Sequence, residues 1–250
     1  MNAHNNPGQP STAEVLAEVE RRRAEAGRIG GTRRRIVVAA DRFVFWLTKH
    51  WLAVLNTLAL LYVGLPVLAP VLLHLGLAGP GTAIHLLYKP LCNQLPQRSW
   101  FLFGPQFSYT LGELAPWIGD DPLATYFVGN EAVGYKMALC QRCVAIHGAI
   151  LLAGLLYALG RRRVRPLPIW AYVVFGLLPM AADGGFQFLS YVLPFLLPSL
   201  PIAPYETTAF MRTLTGTLFG LATVWLAYPY LQETMDEFRE TLHERFGWDK

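Results

Sequence analysis

Long stretches without a formal charge constrain this chain more than any other feature of its sequence. A helix that spans a bilayer needs about 20 mostly apolar residues, and an ionised side chain inside it is costly. The chain has such runs at Trp51–Leu75, Met137–Leu159 and Thr213–Tyr230, and a shorter one at Leu167–Ala182. With 53% hydrophobic and 15% charged residues, it also lies outside the usual balance of soluble proteins. The sequence therefore predicts an all-α fold, an integral membrane bundle of about four transmembrane helices.

These spans divide the chain into three predicted domains. Residues 1–49 form a basic N-terminal segment, and residues 231–250 form an amphipathic helix. The membrane domain, residues 50–230, holds spans at about 51–75, 137–159, 167–185 and 209–230. In the N-terminal segment, Ser11 and Glu14 have capping-box spacing ahead of a helix at Thr12–Ala26.

The stretch Phe186–Pro204 is also uncharged, but it contains four prolines. Proline removes a backbone donor and clashes with the preceding turn of a helix. We therefore expect an interfacial or re-entrant stretch there rather than a regular fifth helix.

Lys and Arg are unevenly distributed between the two ends of the predicted spans. Arg33–Arg35 precede the first span, and Arg161–Arg165 joins the second and third. The loop 76–136 carries few such residues, and the loop 186–208 carries none. Because short loops rich in Lys and Arg stay in the cytoplasm, we expect a multi-pass protein of the cell membrane with both termini cytoplasmic. The loops 76–136 and 186–208 are then extracytoplasmic.

The predicted partners follow from this topology. The lipid bilayer is the first, and the two terminal helices offer surfaces for a protein partner. Arg21–Arg23 form a basic cluster, but their place close to a membrane favours a topogenic or solvated role. No nucleic acid is expected.

Unusual polar residues gather on the extracytoplasmic side. The chain's three cysteines lie in the first loop or at the start of the second span, while Asp183 ends the third span and Arg212 opens the fourth. Convergence of separate segments predicts a site, with a polar part made of Arg98, Ser99, Arg142, Asp183, Gln187 and Arg212. We expect Asp183 and Arg212 to pair with each other. Alternatively, the arginines form an anion pocket for a phosphate or a lipid headgroup, which guanidinium groups bind well.

Four motifs in this part of the chain resemble those of a known family: CNQLPQRS, CQRC, PMAADGGFQ and RTLTG. They are similar to an uncharacterised family of small polytopic prokaryotic membrane proteins, a domain of unknown function. Its pattern is a Cys-His-Gln followed by Pro-Glu-Arg-Ser, a Cys-x-Arg-Cys, an Asp-Gly after an apolar span, and an Arg with a Gly soon after. Asn93 and Gln97 depart from it, standing where the family has His and Glu. The resemblance covers roughly Lys89 to Gly220 and implies no particular reaction.

The three cysteines allow more than one chemistry. Cys140 and Cys143 have a spacing that chelates a metal or closes a disulfide, and Cys92 adds a third thiolate. The resemblance implies a zinc-like site of three sulfurs and one nitrogen, but Asn93 removes that nitrogen here. His147 is the candidate fourth ligand, because Cys140, Cys143 and His147 follow one another at steps of three and four residues and so fall on one helical face. His85 is the alternative. A structural disulfide or inert thiols are the plain alternative.

Three functions stay open from the sequence. Metal binding, with zinc as the expected ion, is favoured for the local chemistry. The enzyme alternative is a quinone-linked thiol–disulfide oxidoreductase, a class that also places a CxxC at the extracytoplasmic end of a span; its usual second cysteine pair is missing here. The third is a non-catalytic accessory subunit of a membrane complex, docked through the terminal helices.

Overall fold

Four long apolar helices dominate the structure, which is a computed structural model that describes residues 12–26, 32–119, 121, 123–160, 164–197 and 205–247. Within these ranges, four helices are long and apolar enough to cross a membrane. We call them spans 1 to 4: Arg34–His74, Gln141–Gly160, Ile169–Pro194 and Ala209–Phe246. Large apolar side chains such as Leu60, Leu155 and Phe175 stay exposed on them, as expected where lipid is the solvent. The predicted all-α membrane bundle is confirmed.

The first and last of these helices extend beyond the predicted spans. The helix that carries span 1 is Thr32–His74, so it begins well before Trp51. Span 4, Ala209–Phe246, is one helix that includes both the predicted fourth span and most of the predicted C-terminal helix, with Pro229 inside it. The charged flanks and the apolar runs therefore form continuous helices, not separate ones.

Span 3 is longer and less regular than predicted. The helical stretch that carries it has five successive segments and reaches Leu196: Ile169–Ala171, the π-helical Tyr172–Leu177, Leu178–Met180, the π-helical Ala181–Gly185, and Phe186–Leu196. The stretch from Phe186, for which we expect an interfacial or re-entrant segment, is helical as far as Leu196 and continues directly from the preceding segments. Pro194 lacks the backbone donor that a helix needs, and the helix ends within a turn of it, at Leu196. Residues 198–204 lie outside the described residues.

The chain divides into two compact units, Met1–Lys49 with Phe238–Lys250, and His50–Glu237. In the first unit, the predicted helix Thr12–Ala26 forms, and Glu18 pairs with Arg21 and Arg22 one turn further on. The predicted cap residue Ser11 lies outside the described residues.

In the second unit, the segment between spans 1 and 2 is a folded layer. It contains the helices Ala78–Tyr88 and Leu111–Ile118, a 3₁₀ turn at Pro96–Arg98, and the strands β1 (Ser99–Leu102), β2 (Gly129–Asn130) and β3 (Gly134–Cys140). The strands form one antiparallel sheet in the order β1-β3-β2. A small core of its own stabilises this layer: Phe101, Tyr109, Leu114, Ile118, Ala124 and Val133.

Strand β3 corrects the predicted start of span 2. Met137–Cys140, which the apolar pattern assigns to the membrane helix, pairs with β1, and the helix begins at Gln141. Ser99 lies opposite Cys140, and Leu102 lies opposite Tyr135. Gly134 has a φ of +80°, and a side chain there would meet the Gly104 Cα at 2.9 Å. An apolar run alone does not distinguish a buried strand from a helix.

Spans 1, 2 and 4 meet in an aromatic cluster. Trp51 of span 1 lies 5.4 Å, ring centre to ring centre, from Tyr228 of span 4, and Tyr157 of span 2 lies 5.6 Å from the same ring. Both pairs are edge-to-face, an arrangement that the ring quadrupoles favour. All three side chains are buried.

Candidate functional site

The three cysteines come together where the folded segment between spans 1 and 2 meets span 2. Cys92 follows the Ala78–Tyr88 helix, Cys140 ends β3, and Cys143 lies in the first turn of span 2. Their sulfur atoms all lie within 4.8 Å of one another, and none is in a disulfide. The strand places Cys140 just before the helix, so the cluster is formed by a loop, a strand end and a helix start.

Neither predicted histidine belongs to this cluster of described residues. The Nδ1 atom of His147 lies 2.8 Å from the carbonyl oxygen of Cys143. The His147 ring packs against the Tyr62 ring, with 4.3 Å between the ring centres. The His85 Nδ1 lies 3.1 Å from the Gln94 Oε1. The cluster of described residues therefore brings together three sulfur atoms and no histidine nitrogen.

A buried network holds the loop that carries Cys92. Gln94 has a positive φ of 52°, an uncommon conformation for a residue with a side chain. The side-chain amide of Gln94 donates to the backbone carbonyl of His85 at 2.7 Å, and the backbone carbonyl of Gln94 accepts from the Lys136 Nζ at 2.6 Å. Burial lowers the pKa of His85 to about 4 and that of Lys136 to about 7. His85 and Lys136 thus fix the backbone two residues after Cys92.

The cluster favours a thiolate at Cys92. Hydrogen bonds from the thiols of Cys140 and then Cys143 lower the pKa of Cys92 well below its ordinary value. The backbone N–H of Cys140 also points at the Cys92 sulfur, at 3.3 Å. Negative charge on this sulfur is therefore stabilised before any ligand binds.

Arg142 lies between Cys140, the last residue of β3, and Cys143 of span 2, and it contacts residues of the other motifs. Its Nη2 lies 2.5 Å from the Asp183 carboxylate of span 3. A side chain at Gly184 would come within 2.9 Å of its Nη1, and one at Gly216 within 2.9 Å of its carbonyl oxygen. The Cys-x-Arg-Cys, Asp-Gly and Arg-to-Gly motifs are thus explained by one packing arrangement.

The predicted pair of Asp183 with Arg212 is wrong. Asp183 pairs with Arg142, while Arg212 pairs at 2.5 Å with Glu206, a residue that the sequence analysis did not select. Asp183 sits in the second π-helical segment of span 3, and Arg142 rather than Arg212 opens the helix beside it. The order of the spans along the chain could not reveal which basic residue would face it.

Glu206 is the centre of a second polar network. Its carboxylate accepts hydrogen bonds from both remaining arginines and from two side chains of span 3: Arg98, Arg212, Gln187 and Tyr191. Burial tends to raise its pKa, but the hydrogen bonds from Arg98 and Tyr191 outweigh this, and the pKa lies below its ordinary value. One carboxylate therefore holds two cations in place.

Ser99 and Gln141 make buried hydrogen bonds that hold the segments around the site together. Ser99 is fully buried, and its hydroxyl donates to the Leu95 carbonyl at 2.9 Å. Gln141, also fully buried, donates to the Ser99 carbonyl at 3.2 Å and accepts from the Arg212 Nη1 at 3.2 Å. Gln141 was not selected from the sequence, although its place in the CQRC motif could have identified it as a site residue.

A cavity of about 340 Å³ adjoins the cluster. All three cysteines and the three arginines line it, together with Gln187 and apolar side chains: Leu91, Leu95, Ile146 and Met180. This size is within the range of ordinary ligand pockets. The cluster is therefore open to a small ligand on one side.

Comparison with known proteins agrees with this description. Residues 132–226 match the model of a family described as Predicted membrane protein (DUF2085). The resemblance to an uncharacterised membrane protein family is confirmed. The DUF2085 match contains Cys140, Arg142, Cys143, Asp183 and Arg212, whereas the CNQLPQRS stretch precedes it.

One relative covers more of the chain than the DUF2085 match. An uncharacterised protein of Methanocaldococcus jannaschii is 24% identical over 193 residues, which are 75% of this chain and 96% of that protein. No solved structure matches the chain.

Proposed function

We propose that this membrane protein binds a zinc-like metal ion through the thiolates of Cys92, Cys140 and Cys143. The proposal is carried by the approach of these three sulfur atoms, within 4.8 Å of one another, from three separate segments. Around a tetrahedral zinc ion with bonds of about 2.3 Å, sulfur atoms lie about 3.8 Å apart. A movement of about 1 Å is then enough to bring the three sulfur atoms to this spacing, and the fourth tetrahedral position is left for water or another ligand. Thiolate ligands favour zinc and other soft ions over magnesium or calcium.

The charges around the cluster support a divalent ion. Three thiolates and one divalent cation have a net charge of about −1. Arg98, Arg142 and Arg212 face two carboxylates, those of Asp183 and Glu206, which leaves one positive charge beside the cluster. Uncompensated charge in a poorly solvated site is costly, so the two excess charges stabilise each other.

The cysteine cluster is proposed to lie on the extracytoplasmic side of the cell membrane. It is at the start of span 2, whereas the basic connector that includes Arg165 follows the end of that span. A helix of this length rises about 30 Å, the thickness of the hydrocarbon core. The cluster and the connector therefore lie at opposite faces, and basic connectors stay in the cytoplasm.

Metal analysis of protein purified without added metal tests the metal site. We expect about one equivalent of zinc in the parent protein, and loss of most of it in Cys92→Ser, Cys140→Ser and Cys143→Ser. Each loss should lower the melting temperature, because a metal that binds only the folded state stabilises it. His147→Gln is the matched control, since His147 is next to the cluster in sequence but not part of it, and it should keep its zinc.

Two results would count against this site. Parent protein without stoichiometric metal but with a complete Cys140–Cys143 disulfide would replace it with a redox pair or a structural bridge. Quinone-dependent reoxidation of the reduced protein would then identify the oxidoreductase. Zinc loss in His147→Gln would instead restore the four-ligand site predicted from the sequence.

A further inference from the structure

The arginines of the cavity have donor groups that the protein does not use. Arg212 is only 4% exposed, and its Nη atoms donate to Gln97, Gln141 and Glu206. The Nε atoms of Arg142 and Arg212 are buried without a hydrogen-bond partner among the described residues. A buried donor without an acceptor is unfavourable, and a bound ligand with several acceptor oxygens would remove that cost.

The charge around the cavity also favours an anion. The three arginines line it and face two carboxylates, Asp183 and Glu206, so the ion pairs leave one excess positive charge.

We propose that the cavity binds a phosphate-type oxyanion, held by the guanidinium groups of Arg142 and Arg212. The Nε groups of both side chains still lack an acceptor, and guanidinium N–H groups donate charge-assisted hydrogen bonds to phosphate oxygens. The remaining lining is partly apolar, with Leu91, Ile146 and Met180 beside the polar groups. Such a lining accepts both free phosphate and the phosphate headgroup of an anionic lipid. This binding goes beyond the metal site, since other residues provide it.

Calorimetric titration of the detergent-purified protein tests the oxyanion site with two probes, inorganic phosphate and dihexanoyl phosphatidylglycerol. At least one should bind the parent protein, and Arg142→Gln and Arg212→Gln should each weaken it about tenfold or more, as expected for the loss of a hydrogen bond to a charged group. Arg142→Lys keeps the charge but not the Nε donor, so it should fold where the glutamine variant does not and still bind more weakly. Arg165→Gln, at the other end of spans 2 and 3, is the matched control and should bind as the parent does.

The two probes separate the sources of the anion. Arginine-dependent binding of inorganic phosphate indicates a free anion, and arginine-dependent binding of the lipid alone indicates a headgroup. Failure of the folded parent to bind either probe, or equal affinity in the parent, Arg142→Lys and Arg212→Gln, would overturn the proposal. The metal content of the same samples is measured separately, so loss of metal with unchanged phosphate affinity counts only against the zinc-like site.

Discussion

Arg142 shows how one residue explains several distant sequence motifs. Its side chain reaches Asp183 of span 3, and its backbone carbonyl lies against Gly216 of span 4. Asp183 also accepts a hydrogen bond from the Thr215 hydroxyl at 3.2 Å. The ion pair is largely buried, with side-chain exposures of 18% and 9%. A buried pair is sensitive to the loss of either member, because the remaining charge is left uncompensated.

We therefore predict strong coupling between Arg142 and Asp183. Arg142→Gln and Asp183→Asn should each destabilise the protein by about 3–5 kcal/mol, and the double variant should lose much less than the sum. Melting temperatures in detergent measure the three losses. The comparison pair is Asp183→Asn with Arg212→Gln, whose ion-pair partners differ and whose effects should be closer to additive. Additive losses for Arg142 and Asp183 would show that the pair does not form.

At the scale of elements, two glycines set the distance between spans 2 and 4. A side chain at Gly220 would lie 2.9 Å from the Ala149 Cβ and 2.5 Å from the Ile146 carbonyl oxygen. One at Gly216 would lie 3.1 Å from the Ala145 Cβ. Small residues spaced by four allow helix backbones to approach closely in membranes. Gly216 and Gly220 therefore form a small-residue face on span 4, and this face packs on span 2.

Gly220→Ala should therefore force spans 2 and 4 apart and destabilise the bundle by about 1–3 kcal/mol, the usual effect of overpacking. The neighbouring atom is backbone, which cannot rotate away as a side-chain end could. Gly148→Ala in span 2 is the control, because a Cβ there meets nothing within 4 Å. We expect a lower melting temperature for Gly220→Ala and an unchanged melting temperature for Gly148→Ala. Equal melting temperatures would mean that the two helices are further apart than described.

At the scale of the molecule, the location of the site depends on the direction in which span 2 crosses the membrane. The folded segment between spans 1 and 2 precedes this span, the cysteine cluster lies at its start, and Arg165 follows it. The positive-inside rule then predicts that this segment, which includes the 69% exposed Phe107, is extracytoplasmic.

Labelling with an impermeant thiol reagent checks this orientation. Phe107→Cys should react in intact cells, whereas Arg165→Cys should react only after the membrane is opened. The parent chain gives the background from its three native cysteines. Labelling of Arg165→Cys in intact cells, with none above background for Phe107→Cys, would reverse the orientation and place the cluster in the cytoplasm.

The sequence by itself determined the membrane class, the number of spans and the helix Thr12–Ala26. These properties depend on the local composition of the chain, because apolar length and the absence of helix breakers act within one segment. The sequence also identified the cysteines and arginines, since charged and thiol groups are conspicuous in an apolar chain.

Only the tertiary structure decided the partners of these residues. Met137–Cys140 forms part of β3 rather than a helix because it pairs with Ser99–Leu102. Asp183 pairs with Arg142 because span 3 packs beside span 2. Glu206 became a site residue because a loop brings its carboxylate to Arg98 and Arg212. Each of these contacts joins residues that are far apart in the chain. Their energies depend on burial and distance in the folded state, which a local pattern of residues does not contain.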